Sequence, residues 1–416
     1  MKIDLHVDEK RCLSELDRLS RFSSCDQPHP AVTRIVFSNE DLAARAYLKS
    51  LYEDAGLTVR VDGVGNTFAR WIGTDDSLPA VATGSHTDAI PHSGMYDGTL
   101  GVLGGLEAIR TLQASGFLPT RSIELVMITS EEPTRFGIGC LGSRVMAGLL
   151  DESSLTRLHD QDQHDVLTVC RQAGFTGDVA GSVLKPDHYH AWLELHIEQG
   201  PELEFKALPI GIVTGIAAPA TMRVTVSGQG GHAGGVLMPA RRDALCGAAE
   251  MITQIERLGR GSPSDDLVVT VGQIDVHPGA VNSIPSKVMF TIDLRDVHLT
   301  SRDQCKTEIE STCHRIAAER SLGIEIQTQN ADPPAGADPM IMTTIESACH
   351  DGGVSFQSMV SRAYHDSLFM AQVAPMGMIF IPCRGGVSHR PDEYSTPEQI
   401  AVGVDVLARS LALLAS

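Results

Sequence analysis

The sequence predicts an α/β protein in two parts. A discontinuous domain, a mixed sheet flanked by helices over residues 1–213 and 331–416, is interrupted by an inserted ferredoxin-like α+β domain over 214–330. Three observations carry this. Strand-like and helix-like apolar segments alternate through the first half, the order of a sheet covered by helices. From about Thr214 the order becomes β-α-β-β-α-β, compact enough to be a domain of its own. After Pro333 and Pro334 the first rhythm returns.

LPAVATGSHTD (78–88), SIELVMITSEE (122–132) and HAWLELHIEQG (190–200) read as buried strands, with TLGVLGGLEAIRTLQASG (99–116) an apolar-faced helix between the first two. In the insertion, MRVTVSG (222–228) alternates as a half-buried strand, and RRDALCGAAEMITQIERLG (241–259) is helical. LVVTVGQIDV (267–276) and SKVMFTIDLRDV (286–297) are strands, followed by a helix (303–321) and the strand GIEIQTQ (323–329). MGMIFIPC (376–383) is again a buried strand. The last helix starts after Thr396, with Pro397 at its first position and Gln399 closing a capping box, and runs to about Leu414.

The chain has 416 residues, 42% apolar and 20% charged, enough for more than one core. Its formal net charge of −19 repels phosphate, so neither nucleic acid nor an anionic membrane is expected as a partner. No run of 18 apolar residues predicts a spanning helix. The nine cysteines form no CxxC and read as thiols, and MKIDLHVDEKRCLSEL lacks the pattern of a secretory signal, so a reducing cytoplasm is expected.

In such sheets polar residues gather at the carboxyl ends of strands, where sites lie. His86 and Asp88 in GSHTD, Asp97 in GMYDGTLG, Glu131 and Glu132 in TSEEPTRFG, His196 in ELHIEQG and His389 in GVSHRPDE all fall at strand ends or in adjoining loops. Oxygen and imidazole donors without cysteine suit zinc, manganese or cobalt. Five such donors with one shared carboxylate hold two divalent ions: His86, Asp97 and His196 one, Asp97, Glu132 and His389 the other. Asp88 is placed to hydrogen-bond the free nitrogen of His86 and fix its tautomer. Glu131 stays unligated, a general base that takes a proton from the attacking water and returns it to a leaving amine.

GSHTD, MYDG, SEEPTRFG, LHIEQGP, GGHAG, MPARRD, VNSIPSK, TIDLR and SHRPDE together resemble the two-metal amidohydrolases of the aminoacylase and glutamate carboxypeptidase superfamily. The match is closest to the branch of N-carbamoyl-L-amino-acid hydrolases, allantoate amidohydrolases and ureidoglycolate amidohydrolases, and runs from about residue 35 onward. The resemblance implies a metal-binding catalytic domain with an inserted lid that makes a homodimer. It puts the five metal positions on His86, Asp97, Glu132, His196 and His389, the catalytic glutamate on Glu131, and a cis peptide between Asp97 and Gly98. It further implies that His232, in GQGGHAGG, reaches the partner subunit's site and stabilises the oxyanion, and that Asn282 and Arg295 bind a substrate carboxylate. Gln199, three residues after His196, is placed to meet the substrate amide.

Where carbamoylases and allantoate enzymes carry a GAGHDA-type segment, this chain has SRAYHDSLFMA, with Tyr364 in place of a glycine beside His365. A phenol there shrinks the pocket and adds a donor, which favours a small hydroxylated substrate. EEPTRFGIGCLGSR, GIAAPA, RAYHDSLFMA and MIFIPCRGGVSH are most similar to ureidoglycolate amidohydrolases. The implied reaction is cleavage of the ureido C–N bond of S-ureidoglycolate, a small ureido substrate with a carboxylate, to glyoxylate, ammonia and carbon dioxide in purine catabolism, with manganese the expected ion. Allantoate and N-carbamoyl amino acids are the alternative substrates, and a peptidase or a non-catalytic binding protein the more distant alternatives.

Overall fold

The computed structural model describes residues 4–416. It separates into two units, one of residues up to Thr214 with Gly336–Ser361 and His365–Ser416, the other of Gly215–Ala335 with Arg362–Tyr364. The short return of 362–364 to the second unit has no signal in the sequence pattern.

In the first unit the strands Met376–Ile381, Ala191–Ile197, Val81–His86 and Ile123–Ile128 run parallel side by side at the centre of a nine-stranded sheet. Antiparallel strands extend it on both sides, Thr67–Trp71 and Thr58–Val61 beyond Ile123–Ile128, and Ile210–Ile216 beyond Met376–Ile381. All residues of the four central strands are buried, which is why they read as continuous apolar runs rather than alternating ones. Helices Thr99–Ala114 and Pro397–Ala415 supply much of the core, through Leu103, Leu106, Val404, Leu407 and Leu411. Gly101 lets the first of these approach the sheet closely: a Cβ there would stand 2.6 Å from the carbonyl of Leu195. The capping box of Thr396 and Gln399 is formed at the start of the second.

The second unit follows the β-α-β-β-α-β order with Ala218–Ser227, Ala244–Arg260, Val268–His277, Lys287–Asp296, Leu299–Glu319 and Gly323–Ala331. Its four strands are antiparallel, with Ala218–Ser227 and Lys287–Asp296 central, which is the ferredoxin-like arrangement. Val288, Phe290, Ile292 and Leu294 face the two helices; Asp293 and Arg295 lie on the opposite face. No helix is long and apolar enough to cross a membrane among the described residues.

Candidate active site

Because Val81–His86, Ile123–Ile128 and Ala191–Ile197 are parallel neighbours, their carboxyl ends bring His86, the Glu131–Glu132 pair and His196 together. Asp97 comes from the turn before helix Thr99–Ala114, and His389 from the loop after Met376–Ile381. Asp97 Oδ1 lies 3.6 Å from His86 Nε2 and 3.2 Å from His196 Nε2. Its other oxygen, Oδ2, lies 3.2 Å from His389 Nε2, which is 3.3 Å from Glu132 Oε1. One aspartate thus offers one oxygen to each of two triads.

The donors fit two divalent ions. Bonds of about 2.0–2.2 Å to one tetrahedral ion separate its ligand atoms by roughly 3.3–3.6 Å, and the measured separations run from 3.2 to 3.6 Å. Nδ1 of His86 donates to the Asp88 carbonyl (3.0 Å) and Nδ1 of His196 to that of Ile197 (2.9 Å), which turns both Nε2 atoms toward Asp97; that of His196 also accepts the Gly98 N–H at 3.1 Å. Asp88, Asp97, Glu131 and Glu132 are all buried. Such a group of carboxylates is short of positive charge, and two divalent cations would offset it.

The titration of the site says the same. Burial works against charging His86 and His196, but Asp88 and Asp97 raise the first and Asp97 the second. Hydrogen bonds to Asp97 and Glu132 push the half-exposed His389 up to about 11. Asp97 is held well below the ordinary carboxylate range, the three imidazoles outweighing its burial. Divalent cations held by these residues would displace those imidazole protons. Glu131 goes the other way: burial pushes it well above its usual value, and against His86 the charges of Glu132, Asp366 and Asp97 add to the rise. A carboxylate made basic in this way is suited to proton transfer near neutral pH.

Several expectations need correction. Asp88 does reach His86, but through its backbone carbonyl; its carboxylate oxygen stands 3.6 Å away. The carboxylate instead accepts the backbone N–H groups of Glu131 (3.2 Å) and Glu132 (3.1 Å), so it anchors the two glutamates. The Asp97–Gly98 peptide is not cis: among the described residues the cis bonds are His29–Pro30 and His277–Pro278. The chain turns at Gly98 itself, at φ 66 and ψ −46, a conformation open to glycine. A Cβ at Gly98 would stand 2.3 Å from His86 Nε2. Gln199 is at the site: its amide nitrogen is bonded to Asp97 Oδ2 at 2.7 Å, and its buried Oε1 has no hydrogen-bond partner among the described residues.

His365 lies against His196, ring centroids 4.5 Å apart, and burial with the neighbouring His196 charge holds it well below its usual value, hence neutral. Its Nε2 has no hydrogen-bond partner among the described residues. Tyr364 belongs to the second unit, where its hydroxyl donates to Asp332. In that unit His232 and Asn282 are brought together by the ribbon pairing His232 with Ser283, and His232 is exposed. Arg295 lies on the open face as its alternation predicts, but Asp293 on the same strand takes its Nε and Nη2 at 2.7 and 3.1 Å.

Sequence reasoning missed Glu393. Its Oε1 accepts the N–H groups of Tyr96 (2.9 Å) and Asp97 (3.0 Å), and its Oε2 meets the Ser388 hydroxyl (2.9 Å), which also reaches Asp97 Oδ2 (2.8 Å). The signal was present in SHRPDE, but a glutamate in a loop reads as solvated until its burial is known.

The sequence pattern of peptidase family M20/M25/M40 matches residues 82–413. The chain belongs to that family. Among curated members it is 50% identical to a ureidoglycolate hydrolase of Arabidopsis thaliana over 99% of this chain and 87% of that one. It is 38% identical to an N-carbamoyl-L-amino acid amidohydrolase of Geobacillus stearothermophilus, over 94% of this chain and 95% of the other. Among solved structures of the family it is similar to AtUAH in complex with glyoxylate, with TM-score 0.89 and 49% identity over 99% of this chain and 98% of that one.

Proposed function

We propose that this M20 family member is a metal-dependent amidohydrolase that cleaves the ureido C–N bond of S-ureidoglycolate. The observation that carries the reaction class is the convergence of His86, Asp97, Glu132, His196 and His389 in two triads sharing Asp97, beside an unligated, basic Glu131. What favours this substrate is the similarity to ureidoglycolate hydrolases along nearly the whole chain, well above that to the carbamoylase.

His86, Asp97 and His196 would hold one ion and Asp97, Glu132 and His389 the other, manganese by preference. When bound, the ions polarise the ureido carbonyl and make the attacking water more acidic. Glu131 takes one proton from that water as its oxygen bonds to the ureido carbon. Protonated Glu131 then delivers the proton to the terminal nitrogen as the C–N bond breaks, and ammonia leaves. The remaining carbamate loses carbon dioxide, and the hydroxyglycine so formed collapses to glyoxylate and a second ammonia. In the homodimer proposed below, His232 would reach the partner subunit's site and donate to the oxyanion that forms there, and Asn282 and Arg295 would bind the substrate carboxylate. His365, neutral and with an unpartnered Nε2, is suited to bond the substrate. Tyr364, its hydroxyl spent on Asp332, acts on selectivity through bulk, and Gln199 holds Asp97 with its amide nitrogen and meets the substrate amide with its unpartnered Oε1. We further propose a homodimer formed through the second unit and a reducing cytoplasm, which suits nine cysteines that are all free.

The test is ammonia release from S-ureidoglycolate, allantoate and N-carbamoyl amino acids with manganese present. S-ureidoglycolate is expected to give the highest kcat/KM by at least about ten-fold, a transition-state difference of about 1.4 kcal/mol. Equal or faster turnover of either alternative overturns the substrate assignment.

A further inference from the structure

Glu131 is the proton carrier in the function proposed above, and the present inference rests on that role. A proton carrier has to be held in reach of water and leaving group without being locked. Glu131 Oε2 lies 3.8 Å from His86 Nε2, on the metal side. Oε1 meets one hydrogen-bond donor among the described residues, the thiol of Cys140, at 3.4 Å.

That thiol is fully buried and is not in a disulfide. Burial pushes it well above its ordinary value, with the negative charges of Glu131 and Asp366 adding to the rise, so the sulfur keeps its proton and donates it. The backbone fixes where the sulfur sits. Cys140 N–H donates to the Glu131 carbonyl at 2.7 Å, Leu141 N–H to that of Ser130 at 2.8 Å and Gly142 N–H to that of Thr129 at 2.8 Å. Ser130 and Cys140 both adopt left-handed backbone conformations, with φ 58 and φ 57. Non-glycine residues are seldom found there, and persist where surrounding contacts over-determine them.

We propose that Cys140 is a positioning residue for the general base: its S–H holds Glu131 Oε1 and leaves Oε2 to accept and return the proton. A thiol is a weak donor, so it steadies the carboxylate yet lets it swing between the attacking water and the departing ammonia. Serine does not reproduce this. Its shorter Cβ–O bond sets the oxygen back from Oε1, beyond the roughly 2.5–3.0 Å that an O–H···O bond needs.

Two measurements test this on the full metal-loaded enzyme. Infrared difference spectra between wild type and Cys140→Ala isolate the S–H stretch of Cys140. It is expected at the lowered frequency of a bonded thiol, and to rise to the free-thiol frequency in a Glu131→Ala background. On S-ureidoglycolate, Cys140→Ala and Cys140→Ser are each expected to lower kcat by roughly 3- to 10-fold, the worth of one modest hydrogen bond, with KM and both metal equivalents unchanged. A band insensitive to Glu131→Ala, or wild-type kcat in both Cys140 variants, overturns the proposal, as does loss of metal or a rise in KM, which marks a structural role. Wild-type turnover by Glu131→Gln would instead overturn the functional reading itself, and this proposal with it; wild-type kcat in both Cys140 variants overturns this proposal alone.

Discussion

Asp88→Asn separates two ways in which an aspartate can serve this site. In the structure the Asp88 side chain stands 3.6 Å from His86 Nδ1, and its close bonds are to the backbone N–H groups of Glu131 and Glu132, received on its two oxygens at 3.2 and 3.1 Å, while 1% exposed. Asparagine keeps one acceptor and turns an NH2 group against the other N–H, so one charge-assisted bond is lost. Such a bond is worth about 1.5–3 kcal/mol, which converts to a factor of roughly 10–150. Removing the outer partners of metal ligands generally costs about 10–100-fold in affinity or activity. The backbone carbonyl that accepts from His86 survives the substitution. The loss is therefore expected at the ion held by Glu132, Asp97 and His389, and in proton transfer by Glu131. Stepwise metal titration by calorimetry, with ammonia release at saturating metal, reads both. Two ions bound at wild-type affinity with wild-type turnover would refute the reasoning. A loss confined to the His86 and His196 ion would show that the carboxylate acts on His86 after all.

Gly98→Ala is expected to abolish activity and weaken the first ion, because the new Cβ falls 2.3 Å from His86 Nε2 at a position with φ 66; retained metal and rate would show that the turn relaxes freely. His232→Ala is expected to lower kcat roughly 100-fold, the usual cost of one oxyanion donor, with the metal content intact; near-normal turnover removes His232 from the mechanism. Burial, with the charge of Glu194, pushes Asp366 from an ordinary 3.8 to about 7. Between those values the folded protein binds more protons than the unfolded one, so stability falls as pH rises from about 4 to about 7. Asp366→Asn, which keeps an acceptor for the Ser143 hydroxyl, is expected to flatten that fall and melt higher than wild type at pH 8, measured by thermal unfolding across the range. A parallel pH profile in the two proteins would refute it.

The sequence by itself determined the buried strands of the sheet and the acids and histidines that end them. Buried central strands leave unbroken apolar runs, and an acid or histidine that ends such a run has no cheap alternative to a partner or a metal. His86, Glu132 and His196 were legible for that reason, and Asp97 and His389 through the motifs around them. The β-α-β-β-α-β insertion was legible because its strands alternate, most plainly in Lys287–Asp296, where Val288, Phe290 and Ile292 are buried and Arg295 lies on the open face.

Only the tertiary structure decided what supports those donors. Asp88 and Glu393 act on backbone N–H groups that are 43 and 297 residues away in the chain, and Ser388 reaches an aspartate 291 residues before it. A hydrogen bond of that span leaves no periodicity, because it depends on how strands and loops are stacked rather than on which residues follow one another. The same holds for Cys140, an ordinary buried thiol in the sequence that becomes a partner of Glu131 only when two left-handed residues fold one loop against a strand end. Ligands are dictated by the chemistry of the metal, and so by residue type. The shell that aims them is dictated by geometry, which many residue types satisfy and which only packing specifies.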